Sequence, residues 1–192
     1  MTDLDAKQNK AMKMVVAYPF CVLLIAVLIN LFVLDVKPFA VSLPDSDSLW
    51  AIALAGIAIC INHTWLMTVT ETTRVRYRMY ATPEEWEASG TNRKDVPDFA
   101  IRELERAHNA HRNTTENTIY YLVLLLPFLF SSAAMNAVYF WVIGFALARL
   151  GYTYSYLKGR DNMRGVFMSL GLIAMFGIAS HLVISYLWVG NA

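Results

Sequence analysis

Asn117-Thr118-Ile119-Tyr120-Tyr121-Leu122-Val123-Leu124-Leu125-Leu126-Pro127-Phe128-Leu129-Phe130-Ser131-Ser132-Ala133-Ala134-Met135-Asn136-Ala137-Val138-Tyr139-Phe140-Trp141-Val142-Ile143-Gly144-Phe145-Ala146-Leu147-Ala148 is a run of 32 residues without Asp, Glu, Lys or Arg. A membrane-crossing helix needs roughly 20 apolar residues. The run is too long for one crossing and breaks at Ser131–Asn136, so it holds parts of two. Three more uncharged stretches, 14–34, 48–70 and 165–192, flank it. The reading is five membrane helices, near 14–34, 49–72, 112–134, 137–158 and 165–189. The totals agree: 57% of the 192 residues are hydrophobic and 16% charged, where soluble domains carry roughly 25% charge. The expected fold is all-α, a transmembrane helical bundle.

Five crossings place the chain ends on opposite sides. The N-terminal tail, loop 73–111 and loop 158–164 then share one side and carry most of the Lys and Arg, while the other side holds only Lys37. Such a bias marks the cytoplasmic face. The expected localisation is a multi-pass membrane protein with the N-terminus and both of those loops cytoplasmic. The net charge of +1 is uninformative by itself, and no nucleic-acid partner is expected. Cys21 and Cys60 lie inside apolar spans and read as packing residues, not as a disulfide or metal motif. The 14–34 stretch exceeds the apolar run of a signal peptide and is read as a helix.

Loop 73–111 contains Thr82-Pro83-Glu84-Glu85, a helix start with Thr as cap and Pro at the first position. Trp86 then lies on a short helix ending near Ser89-Gly90. A second start near Asp95–Pro97 leads without a breaker through Ile101, Leu104 and Ala107 into the third span, where Pro127 kinks the helix rather than ending it. That helix enters the bilayer around Arg112–Glu116, where charges are costly unless they face protein or water.

At about 100° per residue, Asn109, Arg112, Asn113, Glu116 and Tyr120 form one polar stripe. Arg149, Tyr152 and Tyr156 form a second on the next helix. Counted from Asn136, Glu116 and Tyr156 are equally distant, so the stripes are expected to lie level. Arg164 sits just beyond, at the same mouth. Arginine forks suit carboxylates, Glu suits an ammonium group, and Tyr can donate to a thiolate. The set fits a small zwitterion with several carboxylates. The bland alternative is that Arg112 and Glu116, or Arg149 and Glu116, merely neutralise each other. His108 and His111 could bind metal with Glu116, but no fourth ligand is apparent and no metal site is expected. His63 and His181 read as partners in helix–helix hydrogen bonds. Gly171, Ala174, Gly177 and Ser180 form a small-residue packing stripe, compatible with oligomerisation.

The segment Glu105-Arg106-Ala107-His108-Asn109-Ala110-His111-Arg112-Asn113-Thr114-Thr115-Glu116-Asn117 resembles the second-helix motif of the MAPEG family, membrane-associated proteins in eicosanoid and glutathione metabolism. Val75-Arg76-Tyr77-Arg78 with Ala81-Thr82-Pro83-Glu84-Glu85, and Arg149 to Tyr156-Leu157 with Arg164, resemble flanking motifs in the family's order. The resemblance spans roughly 50–189. It implies a MAPEG-like four-helix core at 49–192, with 1–48 supplying a tail, an additional N-terminal transmembrane helix and a loop. It implies a homotrimer with glutathione, as cosubstrate, bound between subunits near the cytoplasmic face. By position, Arg76, Arg112, Asn113, Glu116, Tyr152, Tyr156 and Arg164 would bind glutathione, with Arg164 and Tyr156 catalytic through the thiolate.

The chain departs from the family at Asn109, which replaces the motif's leading Arg, and at Tyr152, which replaces a frequent His. Gly165 stands where prostaglandin E synthase relatives have Ser, which argues against that activity. The expected function is a glutathione-dependent membrane transferase or peroxidase acting on lipophilic electrophiles or lipid hydroperoxides. The alternative is a non-catalytic lipid-binding or scaffold member of the family. A transporter ranks last, because no discontinuous helix pair is evident.

Overall fold

The structure, a computed structural model, describes residues 3–189, with side chains from Lys7 onward. Gly190–Ala192, the end of the uncharged run 165–192 and of the expected 49–192 unit, lie outside the described residues. So do Met1 and Thr2 at the start of the 1–48 segment.

The chain forms helices α1 (Asp3–Phe32), α2 (Ser46–Tyr77), α3 (Pro83–Ser89), α4 (Asp98–Leu129), α5 (Met135–Val138), α6 (Gly144–Leu157) and α7 (Asp161–Val189). A π turn at Tyr139–Ile143 joins α5 to α6 in one continuous rod. By length and apolarity, Lys7–Phe32, Ser46–Tyr77 and Asp161–Val189 can each cross a membrane. Composition alone does not decide the other two rods, because α4 carries Arg112 and Glu116 and a π turn divides the α5–α6 rod. Their place in the bundle beside the apolar helices makes them part of the same membrane unit. The outer faces are hydrophobic, as lipid requires: Val123 is 67% exposed and Phe32 80%.

Local chemistry sets the ends. Asp45 caps α2 by accepting from the Ser48 amide at 2.7 Å. Arg78 ends α2 in the left-handed conformation, φ 51°. Thr82 caps α3 with Pro83 behind it, as the sequence indicates, and Gly90 (φ 67°) closes it. Glu85 turns back to accept from the amide of Ala81, just ahead of the cap, at 2.8 Å. Helix α4 begins at Asp98 after Pro97 and runs into the bundle. It passes through Pro127 but stops two residues later, at Leu129. The Ser131 hydroxyl takes the Phe128 carbonyl there at 2.7 Å.

Two different interiors result. In the half away from loop 78–97, Tyr121, Phe128, Trp141 and Phe145 pack a hydrophobic core, with Tyr121 stacked flat on Phe145 at 3.9 Å. In the other half the interior turns polar, with Asn62, Thr114, Arg149, Thr153 and Ser155 all buried.

Helix α1 runs parallel to α7. Asn30 Nδ2 donates to the Gly177 carbonyl and the Ser180 hydroxyl, both at 2.8 Å, and Trp141 Nε1 donates to Asn30 Oδ1 at 3.0 Å. The small-residue stripe on α7 is thus used within the chain: Gly177 lies against the Trp141 ring and Gly171 against Arg149.

The readings of the two cysteines and of His181 are corrected, and that of His63 stands. Cys21 and Cys60 lie exposed on the outer face and do not pack the core. His181 packs edge-on against Phe128, and its Nδ1 has no partner among the described residues, so that nitrogen does not join helices. His63 does: its Nδ1 is 2.9 Å from Nε2 of His111 on α4.

Candidate functional site

Helix α4 and the α5–α6 rod form an antiparallel hairpin, and its register decides which polar groups meet. Phe145 stacks on Tyr121, Arg149 reaches residues 113 and 114, and Arg106 packs beside Gly159. These pairs centre the hairpin near Ser131, not Asn136, because α4 stops at Leu129 and the rod restarts only at Met135. The expected levelling of Glu116 with Tyr156 is therefore incorrect. Asn113 stands level with Arg149, and Tyr156 lies about two turns further toward the basic loops.

Arg149 is the centre of the site. It is 1% exposed and no carboxylate pairs with it among the described residues. Its Nη2 donates to Asn113 Oδ1 at 2.8 Å and to Thr114 Oγ1 at 3.0 Å. The guanidinium lies over the Tyr152 ring, 4.3 Å from its centroid. A charge held this deep needs such partners, since a bare cation is costly in an apolar interior. The Arg149 Nε is buried with no partner among the described residues, so a donor is left over.

From Arg149 the contacts continue outward as a ladder. Tyr152 and Tyr156 are 5.5 Å apart by ring centroid. Arg164 then lies over Tyr156 at 5.1 Å while pairing with Asp161 at 3.4 Å. Asn113, Tyr152, Tyr156 and Arg164 from the sequence-derived set are on this ladder.

The other three members are elsewhere on the single chain. Arg76 pairs with Glu103 at 3.4 Å, and Tyr77 donates to the same carboxylate at 2.9 Å, tying α2 to α4. Arg112 bonds to Asn109 at 3.1 Å on the exposed face of α4. Glu116 is exposed on that face too. Among the described residues no ion pair joins Glu116 to Arg112 or Arg149, so the mutual-neutralisation alternative does not describe this site. The stripe splits because Asn113 turns toward α6 while Arg112 and Glu116 project outward.

Two participants escaped the motif-based residue set. Arg149 was visible in the stripe but lay outside that set. Thr114 had no signal beyond adjacency to Asn113. Among the described residues no group of three or more His, Cys, Asp or Glu could hold a metal ion.

A bundle of apolar helices with a polar, arginine-bearing ladder at one end defines a class: an integral membrane protein with a charged intramembrane site. The MAPEG family model matches residues 52–184, and the chain belongs to that family of membrane proteins in eicosanoid and glutathione metabolism. No curated protein matches the sequence.

Proposed function

We propose that the protein is a glutathione-dependent membrane transferase or peroxidase acting on lipophilic electrophiles or lipid hydroperoxides. The observation that supports this reading best is the ladder from Asn113 through Arg149, Tyr152 and Tyr156 to Arg164. It pairs cations with hydroxyls from bilayer depth to the basic mouth. Glutathione carries two carboxylates, an ammonium group and a thiol. The Arg149 Nε, without a hydrogen-bond partner, and the Glu116 carboxylate, without an ion pair, both among the described residues, match those charges in kind. When bound, glutathione supplies a thiol whose sulfur bonds to an electrophilic carbon as the leaving group departs, or which together with a second glutathione reduces a hydroperoxide to alcohol and water, leaving the disulfide. In this reading Arg164 and Tyr156 hold negative charge at the sulfur, since the thiolate is the reactive form.

Arg76, Arg112 and Glu116 face outward, and a neighbouring copy would cover them. A site between subunits of a homotrimer therefore uses all seven residues. In this reading 49–192 is the four-helix unit and 1–48 an addition, and loops 73–111 and 158–164 are cytoplasmic with the N-terminus.

The test is calorimetric titration of the full-length protein with glutathione, alongside conjugation of a model aryl halide and reduction of cumene hydroperoxide. Glu116→Gln and Arg112→Ala should each weaken glutathione binding about tenfold, as charge-assisted bonds are lost. Arg164→Ala should slow turnover by about 10²-fold, the scale for removing one charge-stabilising donor. Absence of both glutathione binding and turnover ends the enzyme reading. A scaffold role draws on the exposure of Arg164 and its pairing with Asp161. It predicts lipid binding that Arg164→Ala leaves unchanged.

A further inference from the structure

The extramembrane ends of α2 and α4, with the α3 loop folded over them, enclose a cavity of about 430 Å³. That volume is within the range of small-molecule sites, roughly 300–1,000 Å³. The cavity is separate from the ladder. Its α4 wall is Ile101, Leu104 and His108, a stripe about a third of a turn around the helix from the arc containing Asn113 and Glu116.

The loop is built to hold this wall. Trp86 Nε1 donates to the Tyr80 carbonyl at 3.0 Å, and the two rings meet edge to face at 5.0 Å. Two guanidiniums and an imidazole line the same space: Arg74, Arg93 and His108. Arg74 is half-buried and pairs through Nη1 with Glu71 at 2.6 Å. Its Nη2 is 3.4 Å from His108 Nε2, and its Nε is buried with no partner among the described residues. Arg93 forms no ion pair among the described residues. The three groups thus line the cavity beside an aromatic and aliphatic wall, while the nearby carboxylates, Glu71 and Glu105, are not among its lining residues.

We propose that this cavity binds a small amphiphilic anion, with its charged group between Arg74, Arg93 and His108 and its apolar body against Trp86 and Leu104. The anion is a carboxylate, sulfonate or phosphate on an aromatic or branched body, drawn from solution or from a lipid headgroup.

The probe is 2-naphthalenesulfonate, whose charge is constant across the working pH range, titrated by calorimetry into the full-length protein. Saturable binding at one site per chain is expected. Arg93→Gln and Arg74→Gln should each weaken it about tenfold through loss of a charge-assisted contact. Neutral 2-naphthalenemethanol should bind more weakly than the sulfonate. Arg93 is exposed and unpaired among the described residues, so its substitution leaves the fold intact and glutathione binding unchanged.

Repeating the titration in nanodiscs separates the two sources. Weaker probe binding in anionic than in zwitterionic lipid assigns a lipid headgroup, and equal binding assigns a soluble ligand. The proposal is overturned if wild type shows no saturable binding. It is equally overturned if both arginine variants bind like wild type, or if glutathione displaces the probe.

Discussion

A buried cation organises the polar half of this protein. Arg149 contributes a planar fork that Lys cannot reproduce, with one nitrogen serving both Asn113 and Thr114 and the plane lying on Tyr152. Arg149→Lys keeps the charge but loses the fork. It should lower stability by about 1.5–3 kcal/mol, the range for hydrogen bonds to charged groups, and should weaken glutathione binding. Thermal unfolding and titration of the same preparation check this, and a variant indistinguishable from wild type would refute it.

His108 makes a second residue-scale prediction. It lies on the part of α4 before the bilayer entry, and burial first, then the Arg74 charge, holds its pKa below the ordinary 6.5, against the opposing pull of Glu71 and Glu105. With the loop released, the ring takes a proton near 6.5; with the loop docked it does so only at lower pH. Docking is therefore fully stabilised above 6.5 and loses stability as pH falls through the depressed value. Amide exchange across 83–96, corrected for intrinsic rates, should show less protection at about pH 5 than at about pH 7.5, and His108→Gln should remove the difference. Equal wild-type protection at both values would show that His108 does not couple to the loop.

At the scale of elements, the α1–α7 contact is a polar clasp inside an apolar bundle. Asn30 is 1% exposed, and both ends of its amide are satisfied by Gly177, Ser180 and Trp141. Asn30→Leu leaves the Trp141 N–H and the Ser180 hydroxyl without this partner. The cost should be about 1–3 kcal/mol, the price of an unmet buried polar group. Gly177 tests by bulk the adjoining seam, between α7 and the α5–α6 rod. A Cβ there would stand 2.5 Å from the Trp141 ring, so Gly177→Leu forces α7 away from the α5–α6 rod. Overpacking typically costs about 1–3 kcal/mol. Detergent-resistance or thermal-melt assays read both, and a melting temperature equal to wild type in either variant would contradict the contact it tests. The small-residue stripe containing Gly177 was legible from its spacing. Asn30 was not, because one Asn in an apolar run gives no hint of which helix it meets.

Across the whole molecule, the basic loops gather at the end where the ladder opens, and the hydrophobic core occupies the other end. The charge bias predicts that the basic end is cytoplasmic. Leu43, 85% exposed in the opposite loop, and Glu87, exposed on α3, are suitable reporter positions. With Leu43→Cys and Glu87→Cys introduced singly, a membrane-impermeant thiol reagent applied from the non-cytoplasmic side should label the first and spare the second. The reverse pattern would invert the orientation. Native mass spectrometry in detergent provides the matching test of assembly. A trimer is expected, and a monomer that still turns over glutathione would place the whole site within one chain.

Sequence alone determined the membrane character, the number of long rods, the short helix at Pro83–Ser89 and the family. Each depends on local composition, caps and short-range spacing, which do not need to know where the chain goes next. Tertiary structure decided the register of the hairpin. The five residues lost between Leu129 and Met135 shift every level contact, bring Arg149 to Asn113 instead of Glu116 to Tyr156, and leave Arg112 and Glu116 on the outer face. A helix wheel gives the direction of a side chain around its own axis; which neighbour it meets depends on where each rod stops, and that is a property of packing.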